Sequence, residues 1–233
     1  VSMFVLLGFS QTQELQKFLF LLFLLVYVTT IVGNLLIMVT VTFDCRLHTP
    51  MYFLLRNLAL IDLCYSTVTS PKMLVDFLHE TKTISYQGCM AQIFFFHLLG
   101  GGTVFFLSVM AYDRYLAICQ PLHYPVAMNR RMCAEMAGIT WAIGATHAAI
   151  HTSLTFRLLY CGPCHIAYFF CDIPPVLKLA CTDTTINELV MLASIGIVAA
   201  GCLILIVISY IFIVAAVLRI RTAQGRQRAF SPC

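Results

Sequence analysis

The sequence predicts an all-α membrane protein, and three observations carry that expectation. Of its 233 residues, 61% are hydrophobic and only 10% are charged, against roughly a quarter charged in a soluble domain. Its mean hydropathy is +0.91. Five runs, 18–43, 51–78, 83–112, 136–156 and 189–218, are each long enough to span a bilayer as a helix, which takes about 20 predominantly apolar residues. Helices packed in a bilayer form one bundle, so residues 1–233 read as a single domain. The net charge of +4 is too mild to suggest a nucleic-acid partner.

Each run has its own character. Run 18–43 is uncharged, with Asn34 at mid-depth, and is too long for a signal-peptide core. Run 51–78 carries Arg56, Asp62, Lys72 and Asp76. Arg56 and Asp76 lie near its ends and are expected to snorkel outward, whereas Asp62 needs a polar niche inside the bundle. Runs 83–112, 136–156 and 189–218 hold no Lys, Arg, Asp or Glu. With the N-terminus outside, nine Lys and Arg fall on the inner side and five on the outer side. The positive-inside rule therefore places the N-terminus outside. Basic residues 219–228 fall on the inner side, as a stop-transfer flank or a contact for anionic lipid.

Several residues could carry chemistry. His147 and His151, at i and i+4, share a helix face, as a metal pair would or as two histidines beside a polar cavity. Phe96, His97, Gly100, Gly101 and Val104 recur at helical spacing in the outer half of the third run. Met191, Ser194, Ile195 and Val198 do the same in the fifth. Such faces suit either a largely apolar cavity with a few polar handles or close helix packing. Of eleven cysteines, Cys64, Cys119, Cys133 and Cys202 read as small core residues. Cys45 and Cys233 fall on the reducing inner side. Cys89, Cys161, Cys164, Cys171 and Cys181 fall on the outer, oxidising side, where disulfides are expected but spacing does not fix their pairing. Cys161-Gly162-Pro163-Cys164 imitates a redox motif, and with His165 a haem-attachment motif, yet lies in a loop with no βαβ pattern. A membrane enzyme should show a constellation such as His-Glu-x-x-His or Gly-x-Ser-x-Gly, and neither occurs. A transporter should show charged or Gly/Pro-broken runs in matching halves, and none is visible. The sequence calls for no metal and no cofactor.

Residues 110–124 read Met-Ala-Tyr-Asp-Arg-Tyr-Leu-Ala-Ile-Cys-Gln-Pro-Leu-His-Tyr. Asp113-Arg114-Tyr115 after an apolar run resembles the signature of rhodopsin-like G-protein-coupled receptors. The longer string, with Leu47-His48-Thr49-Pro50-Met51-Tyr52 and Pro71-Lys72-Met73-Leu74, resembles the olfactory receptors. The likeness runs from about Leu6 to the last residue.

The resemblance implies a bundle of seven transmembrane helices, of which five are present here. The chain then reads as a fragment, with a sixth helix beginning near residue 229 and Pro232 where the family usually has Thr. It implies disulfides Cys89–Cys171 and Cys161–Cys181, leaving Cys164, where the family usually has Asn. It implies an internal polar network at Asn34 and Asp62, with Thr103 where an acidic residue is often found. It favours the outer faces, with His147, as a pocket for a small volatile odorant. It implies coupling through Asp113, Arg114, Tyr115 and Tyr210 to a heterotrimeric G protein of the olfactory, cyclase-stimulating type, at the plasma membrane. Arg114, at the inner mouth, is expected to reach water and to be held by Asp113 at rest. The alternatives are a class A receptor for another small ligand, or a transporter.

Overall fold

The structure, a computed structural model, describes residues 2–8, 12–162 and 164–219. The expected start of a sixth helix near residue 229, Pro232 and the basic stretch after Arg219 lie outside these residues. Five long helices dominate: α1 (Gln13–Phe43), α2 (Pro50–Phe77), α3 (Tyr86–Cys119), α5 (Arg130–Phe156) and α7 (Thr185–Leu218). Two short helices, α4 (Tyr124–Ala127) and α6 (Ile173–Leu177), lie in the connections, and a 3-10 turn at Cys45–Leu47 joins α1 to α2. Three strands, β1 (Met3–Leu6), β2 (Thr83–Ser85) and β3 (His165–Ile166), make a small sheet in the order β2-β1-β3.

The helix boundaries follow local chemistry. Pro50 opens α2 at a position where its missing N–H costs nothing. Ser85 caps α3 by accepting from the Gly88 N–H at 3.0 Å, and Asn129 caps α5 by accepting from the Met132 N–H at 2.9 Å. Ser85 also explains why the third run does not start its helix at residue 83. Thr83–Ser85 instead pairs antiparallel with β1, Phe4 opposite Ile84. At its other end α3 passes beyond residue 112 and carries Asp113 and Arg114 inside the helix. A 34-residue helix is about 50 Å long and outreaches the roughly 30 Å hydrocarbon core of a bilayer.

α3 is the hub, packing on α2, α5 and α7, while α1 packs on α2. α1, α3 and α7 are long and apolar enough to cross a membrane by composition alone. α2 and α5, of 28 and 27 residues, are long enough but more polar. Two clusters form the core. One lies under the sheet and includes Phe4, Leu6, Ile93, Ile166 and Val176. The other lies deeper between α2, α3 and α5 and includes Leu54, Ile61, Phe106 and Leu116. β1 pins the N-terminal segment over the bundle, with Phe4 fully buried against the rings of Tyr86 and Tyr160.

The charges of α2 depart from expectation at one end. Asp76 is buried and ion-paired with Lys72 one turn earlier instead of snorkelling. Its second carboxylate oxygen has no hydrogen-bond partner among the described residues.

Candidate functional site

At the sheet end the α3 N-terminus is tied to the connection between α5 and α7. Cys89, in the first turn of α3, is disulfide-bonded to Cys171, with Cα atoms 5.4 Å apart, and Cys161 to Cys181 at 5.7 Å. Cys164 is in no disulfide. Gln92, buried one turn below Cys89, donates to the Val68 carbonyl of α2 at 3.1 Å and accepts from the Cys171 N–H at 2.8 Å. One side chain thus links two helices and the loop. Tyr86 donates to the Phe156 carbonyl at 3.1 Å, closing α3 against the end of α5. Tyr160 donates to the Thr155 carbonyl at 2.6 Å, and burial pushes its phenol well above the ordinary tyrosine range.

Below this lid lie four polar side chains from three helices. His147 and His151 on α5 have ring centroids 4.4 Å apart. His97 on α3 lies 6.3 Å from the first and 5.9 Å from the second. His151 meets Ser194 of α7 at 2.7 Å between Nε2 and Oγ. The Nδ1 of His97 faces the Ile93 carbonyl at 3.0 Å. A carbonyl only accepts, so this nitrogen is the donor. Both ring nitrogens of His147 are buried with no hydrogen-bond partner among the described residues. No group of three metal-binding side chains has the geometry to hold an ion among the described residues.

The α3 residues expected on one face divide between two. Phe96 packs on Tyr65 of α2 and on Phe170 of the loop, each ring centroid 5.0 Å away. Gly100 likewise faces Tyr65. His97 faces α5. A Cβ at Gly101 would meet nothing within 4 Å, whereas one at Gly102 would press on Ile61 at 3.2 Å. Only Gly101 therefore leaves room beside α3. Val104 is half-buried. On α7, Met191, Ser194 and Val198 are half-buried, and Ile195 is 44% exposed.

At the opposite end Asp113 is fully buried and Arg114 is 7% exposed. The guanidinium donates to Asp113 Oδ2 from Nη2 at 2.7 Å and from Nε at 3.1 Å. Tyr124 of α4 donates to Asp113 Oδ1 at 2.8 Å. Both carboxylate oxygens are thereby occupied, which is what a buried charge requires. Burial first, and then the bond to the Asp113 carboxylate, push the Tyr124 phenol well above the ordinary tyrosine range. Tyr115 accepts from Gln120 at 3.3 Å and meets Phe212 of α7 at 5.9 Å. Tyr210 is 49% exposed.

A family model described as "Olfactory receptor" matches residues 23–233. The chain belongs to the olfactory receptor family. It is 74% identical to human olfactory receptor 10S1 over the whole chain and 71% of that protein. It is 75% identical to human olfactory receptor 4D1 over 84% of the chain and 63% of that protein. It is 51% identical to human olfactory receptor 10G7 over the whole chain and 75% of that protein. The family is one of multi-pass membrane receptors with a seven-helix bundle, and α1, α2, α3, α5 and α7 supply five of those helices.

One placement differs from what the sequence suggested. Arg114 is buried in its ion pair and does not reach water, because α3 runs on for more than a turn and α4 folds back over Asp113. Asn34 and Asp62 share no hydrogen bond. The Asn34 amide donates to the Thr30 carbonyl of its own helix at 2.9 Å, and the Asp62 side chain is half-buried. Sequence reasoning paired His147 with His151 but missed that His151 is the one joined to Ser194. It also missed the Tyr124 bond to Asp113. The only available signal for Tyr124 was its place at the end of the string that begins at Met110.

Proposed function

We propose that this receptor binds a small volatile odorant between α3, α5 and α7 beneath the disulfide-tied loop. Binding there would drive a stimulatory olfactory-type G protein to raise cAMP. The observation that carries the reading is that α3 holds both stations: His97 in the polar cluster at one end and the Asp113–Arg114 pair at the other. A ligand shifts a bundle between two packings only by its differential affinity for them. His97, His151 and Ser194 come from three separate helices, so a ligand seated among them senses their relative positions. In the resting packing Asp113, itself bonded by Tyr124, holds Arg114. In the active packing Arg114 is released to the G protein and Tyr210 turns inward beside it. All five long helices cross the plasma membrane in this reading, α2 and α5 included, with the N-terminus and sheet extracellular. The protein acts as a receptor and not as an enzyme.

The test uses this chain joined to the remaining helices of the 10S1 relative, with cAMP as readout against a panel of volatile compounds. His97→Ala and Ser194→Ala should each raise the half-maximal concentration of an active odorant several-fold, since a hydrogen bond contributes about 1 kcal/mol. Arg114→Ala should reach the cell surface and lose the odorant response. An unchanged response to every active odorant in both pocket variants would move the binding site elsewhere. Normal signalling by Arg114→Ala would remove the coupling assignment.

A further inference from the structure

At the Asp113–Arg114 end, a cavity of about 430 Å³ opens between the end of α1, the start of α2 and the α4–α5 junction. Its floor is apolar, formed by Val41, Phe53, Met128 and Cys133, and its rim carries Arg56, Arg130 and His48. No Asp or Glu is among the residues that line it. Neither arginine has an ion-pair partner among the described residues. Arg56 is half-buried, and among the described residues its guanidinium makes one hydrogen bond, a long one of 3.4 Å to the Thr42 hydroxyl. That hydroxyl is itself engaged with the Met38 carbonyl. The nearby carboxylate of Asp44 is taken up by Arg46, whose guanidinium holds it below the usual carboxylate range.

Two helix N-termini meet at the same place. Thr49 and Pro50 begin α2, and Asn129 and Arg130 begin α5. The α2 end has no side-chain cap. Each N-terminus adds partial positive charge and free N–H groups. A half-buried guanidinium with no counter-charge is costly unless something anionic supplies one. The apolar floor asks for more than an inorganic ion, since it would otherwise stand exposed to water.

We propose that this cavity binds an anionic phospholipid, its phosphate between Arg56 and Arg130 and the upper part of one acyl chain on Val41, Phe53 and Met128. The choice of a lipid rests on the reading that this end faces the cytoplasmic leaflet, where anionic lipids concentrate. The charge and shape of the cavity do not depend on it.

The test places residues 1–233 in nanodiscs of phosphatidylcholine with and without phosphatidylserine, both leaflets alike, so that orientation does not enter. Lipid retained per chain is counted by native mass spectrometry. Folding is followed by the fluorescence of Trp141, the single tryptophan. Phosphatidylserine should be retained in preference to phosphatidylcholine. Arg56→Gln with Arg130→Gln should weaken that retention about thirtyfold, the combined effect of two basic residues at a membrane surface. Arg131→Gln, outside the cavity and paired with Glu135, should leave it unchanged. If the double variant misfolds, Arg130→Gln alone must still lower retention several-fold, because that side chain is exposed. Equal retention of the two lipids overturns the proposal, as does an equal loss in Arg131→Gln. Full displacement by inorganic phosphate would show a bare ion site and overturn the lipid assignment. The odorant response is read separately as cAMP, so failure here leaves the receptor reading standing, and the reverse.

Discussion

The two ends of α3 are held in opposite ways. At the sheet end the helix is fixed by a covalent bond at Cys89, by Gln92 bridging α2 to the loop, and by β1 laid across the bundle. At the other end the Asp113–Arg114 ion pair lies within α3 itself, and the helix is tied to its surroundings by the Tyr124 phenol on Asp113 and by the apolar packing of Leu116. The first set resists rearrangement, since its constraints overlap. The second has a single polar tie, which a small movement of α4 undoes, and apolar contacts that can slide. A helix fixed at one end and latched at the other can pivot. A two-state receptor needs that asymmetry: a stable ligand frame, and a contact whose loss costs only a few kcal/mol.

The sharpest way to break the comparison is to remove the covalent tie. Cys89→Ser with Cys171→Ser opens a crosslink across 82 residues of sequence. Loss of a bond closing so long a loop should lower stability by about 4 kcal/mol. Thermal unfolding followed by Trp141 fluorescence should shift strongly, and surface delivery should fall. A variant with wild-type melting would mean that the sheet and Gln92 hold this end unaided.

The latch should cost less to lose. Asp113→Asn leaves Arg114 buried without a counter-charge, a loss of about 3 kcal/mol. In the completed receptor this variant should also show raised cAMP without odorant if, as proposed, Asp113 stabilises the resting packing. Raised basal signalling with the Cys89–Cys171 tie intact would place the mobile end where the comparison puts it. Lower stability with no change in basal signalling would make the pair structural only.

How much of this was legible in the sequence differs between the two ends. The five long helices were, because a long uncharged run has few other ways to satisfy its backbone in lipid. Their ends were less so. Hydropathy closed the third helix at Tyr112, where the charges begin, yet Asp113 and Arg114 neutralise each other and the helix continues to Cys119. β1 was not legible, since four apolar residues carry no period and their partners lie some 80 and 160 positions away. The pocket faces were half legible. Adjacent residues on a helix point about 100° apart, so Phe96 turns to α2 and the loop while His97 turns to α5, and spacing alone did not say which of them meets α5. The arginine-rimmed cavity could not be read at all, because it is assembled from the ends of α1, α2 and α5.

A finer probe of the latch is Tyr124→Phe. It removes one hydrogen bond to a buried carboxylate and should cost about 1.5 kcal/mol. The same residue gives a pH signature. Its phenol is held protonated in the folded chain well above the ordinary tyrosine range. The unfolded chain releases that proton first, so stability is full below about pH 10 and falls as pH rises beyond it. In Tyr124→Phe the alkaline slope should be shallower, with the remainder left to groups such as Tyr160, whose phenol is also raised. An unchanged slope would mean that the Tyr124 bond opens before the chain unfolds.

The smallest effect is expected where α7 touches the frame. Ser194 joins α7 to His151 by one hydrogen bond of 2.7 Å and also meets the Met191 carbonyl of its own helix at 3.3 Å. Ser194→Ala removes the only hydrogen bond between α5 and α7 among the described residues. Such a bond nets about 1 kcal/mol, and the imidazole left behind still has two histidine rings beside it. The shift in melting should therefore be small. A consequence specific to the comparison is that α7 becomes freer to move while α3 stays tied at Cys89. Hydrogen exchange should rise along α7 near Ser194 and remain unchanged at Cys89 and Gln92. Equal loosening of both helices would mean that the sheet end is not a frame, and that the two ends of α3 differ less than their contacts suggest.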